Sequence, residues 1–580
     1  MGVADYDQFL VFDELQFWNA NLFGLSKQWA PVLCSGVSLA AEPQVPFASL
    51  TMLLSYALGP LQGIVAAILV YLTLGWIGGY LYAGLWSTDN KQRALAASLF
   101  IGNGFFICRL AHGHIDLIPF LVLPLALWII HRNDGLPAAT KILSTLLLGM
   151  LLSVSVDGSP VTIIHMVVWI ALYTVALSWV RRSLAPAFFF AAACLVAAFL
   201  DAGYLWPMLN AQTEFPRLTA DTFTGPWALV WFLLLPHRGK VLPSNGTGIE
   251  LSVFIGPFLA LLIWRYRELL RRIPDDMRVP LFAVSVVSIW LGMGSLHSLG
   301  LPAWMSPFDW LRHLPGFRSI NVTGRYWGFL ALPLSLASAA ALCTYLKVEP
   351  AGTKKSLFLG AALLTQLVFQ AQSVSSAWSH SHPYRPAPLQ GIFLGAAQPI
   401  ERVLLPTTGR RRHRHQQGEL ISPTRAVLNC YDLDDFRRAP LDPGTDLIKE
   451  VQFFDSEVQA PPTLQANFIT WNHIRIDPLP ASPARGGTVR ITLNQAFNRG
   501  WTSPTCQIDN RNDALVAQCP SSALARPVDL TFFDPVSALG ARVSVAAWCS
   551  LPISLLALGL VATRSRRGIK DPGSRVSERS

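Results

Sequence analysis

The stretch 101–116, Ile-Gly-Asn-Gly-Phe-Phe-Ile-Cys-Arg-Leu-Ala-His-Gly-His-Ile-Asp, gathers Asn103, Arg109, His112, His114 and Asp116 between two apolar runs. Ionisable groups are expensive at membrane depth, so such a cluster marks a candidate site. A short polar hairpin capping two helices is the alternative reading. Arginine offers a planar fork of donors that matches the oxygens of a phosphate or carboxylate. His112 and His114, with Asp116, offer nitrogen and oxygen ligands to a divalent metal. Such a site would need a further well-spaced ligand, so no cofactor is required by this sequence.

These groups sit in a chain built for lipid. Of its 580 residues, 52% are hydrophobic and 14% are charged; a soluble domain is about a quarter charged. Mean hydropathy is +0.39. The expected class is a polytopic α-helical membrane protein with about 11 transmembrane helices, a span needing about 20 apolar residues. Candidate spans are 61–86, 93–110, 116–131, 140–156, 160–180, 185–206, 251–268, 279–298, 326–346, 356–375 and 542–562. Trp227–Pro236 is a shorter apolar run and reads as re-entrant or interfacial. The net charge of +10 belongs to the connections between spans, and no nucleic-acid partner is implied. No phosphate-cradling Gly-rich loop, dinucleotide fingerprint or zinc spacing is visible.

Charge orients the chain. With residues 1–60 outside, the inner connections carry Lys91 and Arg93, Arg132 and Lys141, Arg181 and Arg182, the Arg265–Arg278 group, and Lys347, Lys354 and Lys355. The turns at 111–115 and 157–159 carry no Lys or Arg, as the positive-inside rule requires of outer turns. Asp5, Asp7, Asp13, Glu42, His112, His114, Asp116, Asp157, Glu250, Arg318 and Arg325 then face one side. Residues 1–46 have an acidic start rather than the basic start of a signal peptide, and their aromatic residues suit an interfacial helix.

Four regions follow: 1–60, an outer acidic loop with interfacial helices; 61–375, a transmembrane core; 376–541, an extracytoplasmic β-rich domain; and 542–580, a last span with a basic tail. Thr488–Asn494 and Val528–Phe533 alternate as strands do. Cys506 and Cys519 flank a polar loop and are either free or bonded to each other, the latter in an oxidising compartment.

An ordered set of short motifs resembles the bacterial GT-C type of polytopic membrane glycosyltransferase, in its YfhO-like branch. It comprises Ala-Asp-Tyr-Asp at 4–7, Trp-Ala-Pro at 29–31, Ser-Gly-Val-Ser-Leu-Ala-Ala-Glu-Pro-Gln at 35–44 and Arg-Leu-Ala-His-Gly-His at 109–114. Leu-Leu-Leu-Pro at 233–236, Glu250, Phe-Ile-Gly at 254–256, Pro-Gly-Phe-Arg-Ser-Ile-Asn-Val-Thr-Gly-Arg at 315–325 and Asn-Arg-Gly-Trp at 498–501 complete it. Three features depart from the family pattern. The family's span before the acidic loop is not seen in this sequence, so either the start is truncated or misassigned or the acidic N-terminus is translocated without it; Glu42 stands where the family has Asp, and Ser38 where it has Pro.

The resemblance implies a GT-C-like core and an enzyme that moves a sugar from a polyprenyl-phosphate carrier to an envelope glycan, lipid or protein acceptor. It places the protein in the bacterial inner membrane, among membrane lipids, with its site and β-rich domain facing the periplasm. By position in the motif, Asp7 or Asp5 would take the acceptor's proton, which requires hydrogen-bond reach. Residues i and i+2 do not share a helix face, so one of the two is the base. The donor would be bound by His112, His114, Arg109, Glu42, Arg318, Arg325 and Glu250. Arg318 and Arg325 are two turns apart and share a face if helical. A lipid-linked glycan flippase and a non-catalytic envelope-assembly scaffold are the competing functions.

Overall fold

The computed structural model describes residues 49–157, 160–214, 226–234, 253–314, 317, 323–348, 352–379, 401–403, 425–427, 451–453, 466–470, 472–477, 487–511 and 514–568. Residues 10, 13, 14, 16, 17, 29, 30 and 36–38 of the N-terminal stretch are described as well. The first half is helical: α1 (Leu50–Leu58), α2 (Pro60–Ala83), α3 (Asn90–Ile101), α4 (Gly104–His112), α5 (Leu123–Arg132), α6 (Ala138–Val154), α7 (Pro160–Arg181), α8 (Ala185–Leu200) and α9 (Ala202–Glu214). There follow α10 (Pro226–Leu234), α11 (Pro257–Arg265), α12 (Asp275–Gly292), α13 (Pro307–Leu311), α14 (Ala331–Val348), α15 (Thr353–Ser379) and, after the strands, α16 (Pro535–Gly568). Tight 3-10 turns lead into α5 (Ile115–Val122) and α14 (Thr323–Leu330).

Among the described residues, five helical stretches are long and apolar enough to cross a membrane: Pro60–Ala83, Ile115–Arg132, Thr162–Arg181, Thr323–Val348 and Pro535–Ala557. Two bent pairs bring the number to seven if each is one span. The first, Asn90–Ile101 with Gly104–Ala111, bends by 41°, and the second, Ala185–Leu200 with Ala202–Asn210, by 82°. The chain is therefore a helical protein with the makings of a membrane protein. The other four expected segments also fall on helices. Segment 140–156 meets α6, which has 17 residues, and 251–268 meets α11, which has 9. Segment 279–298 meets α12, whose first turn carries Asp275 and Asp276, and 356–375 meets α15. Phe47–Gly59, too short to span, supplies α1, and the Trp227–Pro236 run supplies α10.

Close helix packing depends on small residues. A Cβ on Gly78 of α2 would stand 2.6 Å from the backbone nitrogen of Leu125. The glycine thus lets α2 lie against α5, as small residues do between membrane helices. The buried core running through α3, α4, α7 and the 3-10 turns before α5 and α14 includes Phe100, Phe105, Phe106, Phe120, Trp169 and Trp327.

The strands are β1 (Trp29–Ala30), β2 (Val37–Ser38), β3 (Glu401–Val403), β4 (Arg425–Val427), β5 (Val451–Phe453), β6 (Ala466–Thr470), β7 (His473–Ile476), β8 (Thr488–Ala496), β9 (Trp501–Thr502), β10 (Gln507–Arg511), β11 (Ala514–Pro520) and β12 (Val528–Phe532). Among the described residues, two four-stranded antiparallel sheets form, in the orders β10-β11-β8-β5 and β6-β7-β12-β9, beside the two-stranded pairs β1-β2 and β3-β4. The expected alternation of 488–494 and 528–533 is realised in β8 and β12. Val489, Ile491, Leu493, Val528, Leu530 and Phe532 point into one apolar core, with period two. A disulfide joins Cys506 to Cys519, across the open end of the β10–β11 hairpin where Gln507 pairs with Gln518.

Candidate functional site

The 101–116 stretch breaks where its residues require. Asn103 leaves the helical conformation, and its side-chain oxygen accepts the backbone N–H of Phe105 at 2.8 Å, capping α4. At the other end Gly113 takes a left-handed conformation, φ 81°, and its N–H bonds the carbonyl of Arg109. Between these caps Arg109 is wholly buried, its guanidinium 4.1 Å over the ring of Phe105. Asp116 is buried too, and its backbone carbonyl accepts the Thr162 hydroxyl from the start of α7. His114 is half-buried. The stretch is more than a solvated cap, because its arginine and aspartate point inward.

Segments that border three of the motifs meet here. The N–H of Gly104 bonds the carbonyl of Phe254 at 3.2 Å. The ring of Phe105 lies so close to Gly328 that a Cβ there would stand 2.6 Å from it. Phe120 packs edge-on against Trp169 at 4.7 Å, and His165 lies 4.1 Å from the ring of Tyr326. The Thr323 hydroxyl donates to the Gly292 carbonyl at 3.1 Å, anchoring the turn that carries half-buried Arg325. Thus 103–116 and 323–330 share one aromatic cluster, while Phe254 meets Gly104 through its backbone and stacks on Phe369 at 4.1 Å. His165, packed against Phe120, Trp169 and Tyr326, is a candidate that the motif reading passed over; an ionisable group inside the apolar run 160–180 was its available signal.

At the same end of the bundle a set of carboxyl groups is buried. Asp157, in the turn after α6, accepts the Thr51 hydroxyl at 2.6 Å, the Thr51 N–H at 3.0 Å and the Tyr71 hydroxyl at 2.9 Å. Asp13 accepts the Ser55 hydroxyl at 2.6 Å, and Asp201 that of Ser153 at 2.6 Å. Asp13 is 2% exposed and Asp157 4%. Asp13 Oδ1, Asp157 Oδ1 and Asp201 Oδ2 find no partner among the described residues. Burial pushes the Asp13 carboxyl up to about 8 despite the Ser55 bond, and Asp157 and Glu14 add to the rise. Burial likewise raises Glu14 to about 7 and raises Asp157. Burial disfavours the charged form of each of these groups.

The Trp-Ala-Pro piece has a different destination. Trp29 is 1% exposed and fills the core between the two sheets. Its backbone N–H donates to Asn472 Oδ1 at 2.9 Å and its indole N–H to Gln495 Oε1 at 3.0 Å. It lies 5.4 Å from Trp501 and 4.9 Å from Phe532. Trp29 and Trp501, from the first and last motifs of the set, therefore pack together.

The opposite end of α7 carries a separate network. Arg181 bonds Asp134, Asp276 and His131 Nδ1. Arginine only donates, so the neutral imidazole accepts at Nδ1 and donates through Nε2 to the Tyr173 hydroxyl, 2.9 Å away. Tyr173 continues to Tyr82 at 2.8 Å. This ties α2, α5, α7 and α12 together and gives the basic connections there a structural use.

Asp5, Asp7, Glu42, Glu250 and Arg318 lie outside the described residues, as does the side chain of His112. Of the expected donor-binding set, Arg109, His114 and Arg325 are described, in the stretches that meet around Phe105. Among the described residues no group of three His, Cys, Asp or Glu is arranged for a metal ion. No protein-family model matches this chain, and no curated protein matches it.

Proposed function

We propose that this protein is a bacterial inner-membrane glycosyltransferase of GT-C type, with about eleven spans and an extracytoplasmic β-rich domain. It moves a sugar from a polyprenyl-phosphate carrier to an envelope acceptor. The acceptor oxygen attacks the anomeric carbon, its proton passes to Asp7 (or Asp5), and the polyprenyl phosphate leaves with inversion. Arg109, Arg318 and Arg325 answer the charge that grows on the departing phosphate, where fixed donors contribute most to rate. His112, His114, Glu42 and Glu250 orient sugar and acceptor.

One observation carries this reading. Gly104 meets Phe254 of the 254–256 motif, and Phe105 meets Gly328, just past the 315–325 motif, so segments bordering motifs far apart in sequence pack beside the buried Arg109. Detergent-solubilised protein supplied with polyprenyl-phosphate hexoses and pentoses tests it. Transfer to an acceptor glycan should fall about a hundredfold or more in Arg109→Lys and in the more damaging of Asp7→Asn and Asp5→Asn. Transfer that survives both aspartate changes removes the carboxylate mechanism. Transport across sealed vesicles without any new glycosidic bond would make the protein a flippase instead.

A further inference from the structure

We propose that Gln366, on α15, is a positioning residue: it clasps the break between α3 and α4 and so aims Arg109. Its bearing on catalysis rests on the transfer reading above. A break in a helix frees backbone groups, and inside lipid each must find a partner within the protein. Several do so locally. Asn103 Oδ1 accepts the Phe105 N–H at 2.8 Å, and the Asn103 carbonyl accepts those of Phe106 and Ile107 at 3.1 Å. The Phe106 N–H is thereby turned away from Gly102, whose carbonyl it would meet in a continuous helix. Two groups are met from far along the chain. The Gly104 N–H donates to the Phe254 carbonyl at 3.2 Å, and Gln366 Nε2 donates to the Gly102 carbonyl at 3.1 Å.

The two distant partners belong to one assembly. Phe254 stacks on Phe369 at 4.1 Å, and Cys108, Phe254 and Phe369 form one buried cluster. Gln366 and Phe369 are three residues apart, so they share a face of α15. That face grips the break on both sides, through Gly102 at the end of α3 and through Phe254 and Cys108 on α4. Leu363, Leu364 and Leu367 are exposed, so α15 lies at the rim of the bundle. A methionine at 366 would fill the same space, but only the amide can donate to Gly102. Without that donor the carbonyl lacks a partner where water is scarce. The helix regains one by straightening, which returns the Phe106 N–H to Gly102. Straightening removes the 41° bend and swings α4, carrying Phe105 and the Arg109 guanidinium that lies over it.

The buried thiol of Cys108 reports on the clasp without any reference to activity. The full-length protein in lipid nanodiscs is alkylated with N-ethylmaleimide, and Cys108 is followed by mass spectrometry of its peptide. Gln366→Met should raise the Cys108 rate about tenfold, the worth of one hydrogen bond. Gln366→His restores an N–H donor and should stay within about twofold of the unaltered protein. An unchanged rate in Gln366→Met, or an equal rise in Gln366→His, overturns the proposal. The second arm reads transfer. Gln366→Met should lower kcat about tenfold and leave KM for the carrier within about twofold. In an Arg109→Lys background it should lower kcat no further, because residues acting as one unit are not additive. An equal fall in both backgrounds makes Gln366 a merely structural residue and overturns its link to Arg109. An unaltered protein that transfers no sugar sinks the transfer reading, and the Cys108 rates then decide the clasp alone.

Discussion

The indole N–H of Trp29 donates to Gln495 Oε1 at 3.0 Å, across a sequence separation of 466 residues. This one bond places the start of the chain inside the core of its distal sheets. It also makes that core dependent on a residue from outside the strand-rich region, because Trp29 lies within contact of Trp501 and Phe532.

Replacing Trp29 by Ala should therefore destabilise the sheets by about 3–5 kcal/mol, the usual cost of emptying a large aromatic site. Denaturant unfolding followed by the near-ultraviolet signal of Trp501 would measure it. A loss well under 1 kcal/mol would mean that the sheet core closes without the N-terminal stretch.

Gly104 and Gly328 test the packing of the segments that border the motifs. A Cβ at Gly104 would stand 2.7 Å from the backbone nitrogen of Phe254, and one at Gly328 would press on the ring of Phe105. Either Ala substitution should cost about 1–3 kcal/mol through overpacking. Since Phe105 also carries the guanidinium of Arg109, Gly328→Ala should reduce transfer more than it reduces the yield of folded protein. Thermal melting alongside the transfer assay separates the two effects.

Asp529 supplies a pH signature in the sheets. It accepts from Arg475 Nε at 2.9 Å and His473 Nε2 at 2.8 Å across the β7–β12 register. Hydrogen bonding, first from Arg475 and then from His473, holds its carboxyl below the ordinary carboxylate value of 3.8. Its contribution is therefore present above that value and lost as pH falls through the lower folded one. The pair is partly exposed, so the loss should stay below about 1 kcal/mol. Unfolding near neutral pH and near pH 3, for the unaltered protein and Asp529→Asn, should show the difference shrinking in acid.

The Cys506–Cys519 bond closes a loop with a separation of 13 residues. Reduction, or Ser at both positions, should lower the stability of the sheets by about 3 kcal/mol on the chain-entropy account. Melting with and without reductant would measure it. An unchanged midpoint would show that the β10–β11 pairing alone holds the hairpin.

Much of the local structure was legible in advance. The polar break at 101–116 and the alternation of 488–494 and 528–533 are signals confined to a few residues, whereas Asn103, read as one of the clustered polar groups, proves to cap α4. The spans were harder. Segments 251–268 and 279–298 read as apolar runs. In the structure the first is interrupted by the 3-10 turn at Arg267–Arg272, and the second has its helix begin at Asp275 and end at Gly292. Apolarity alone does not set where a helix starts and stops.

The sequence by itself determined the class of protein, because scarcity of charge and long apolar runs are properties of composition and period. It also singled out 101–116 as a polar break between such runs. Only the tertiary structure decided that Arg109 turns inward onto Phe105 and that Trp29 belongs to the distal sheets. It likewise decided that Asp13 and Asp157 share α1. Those relationships depend on which distant surfaces pack together, and burial of a carboxyl or an indole leaves no mark on its neighbours in the chain.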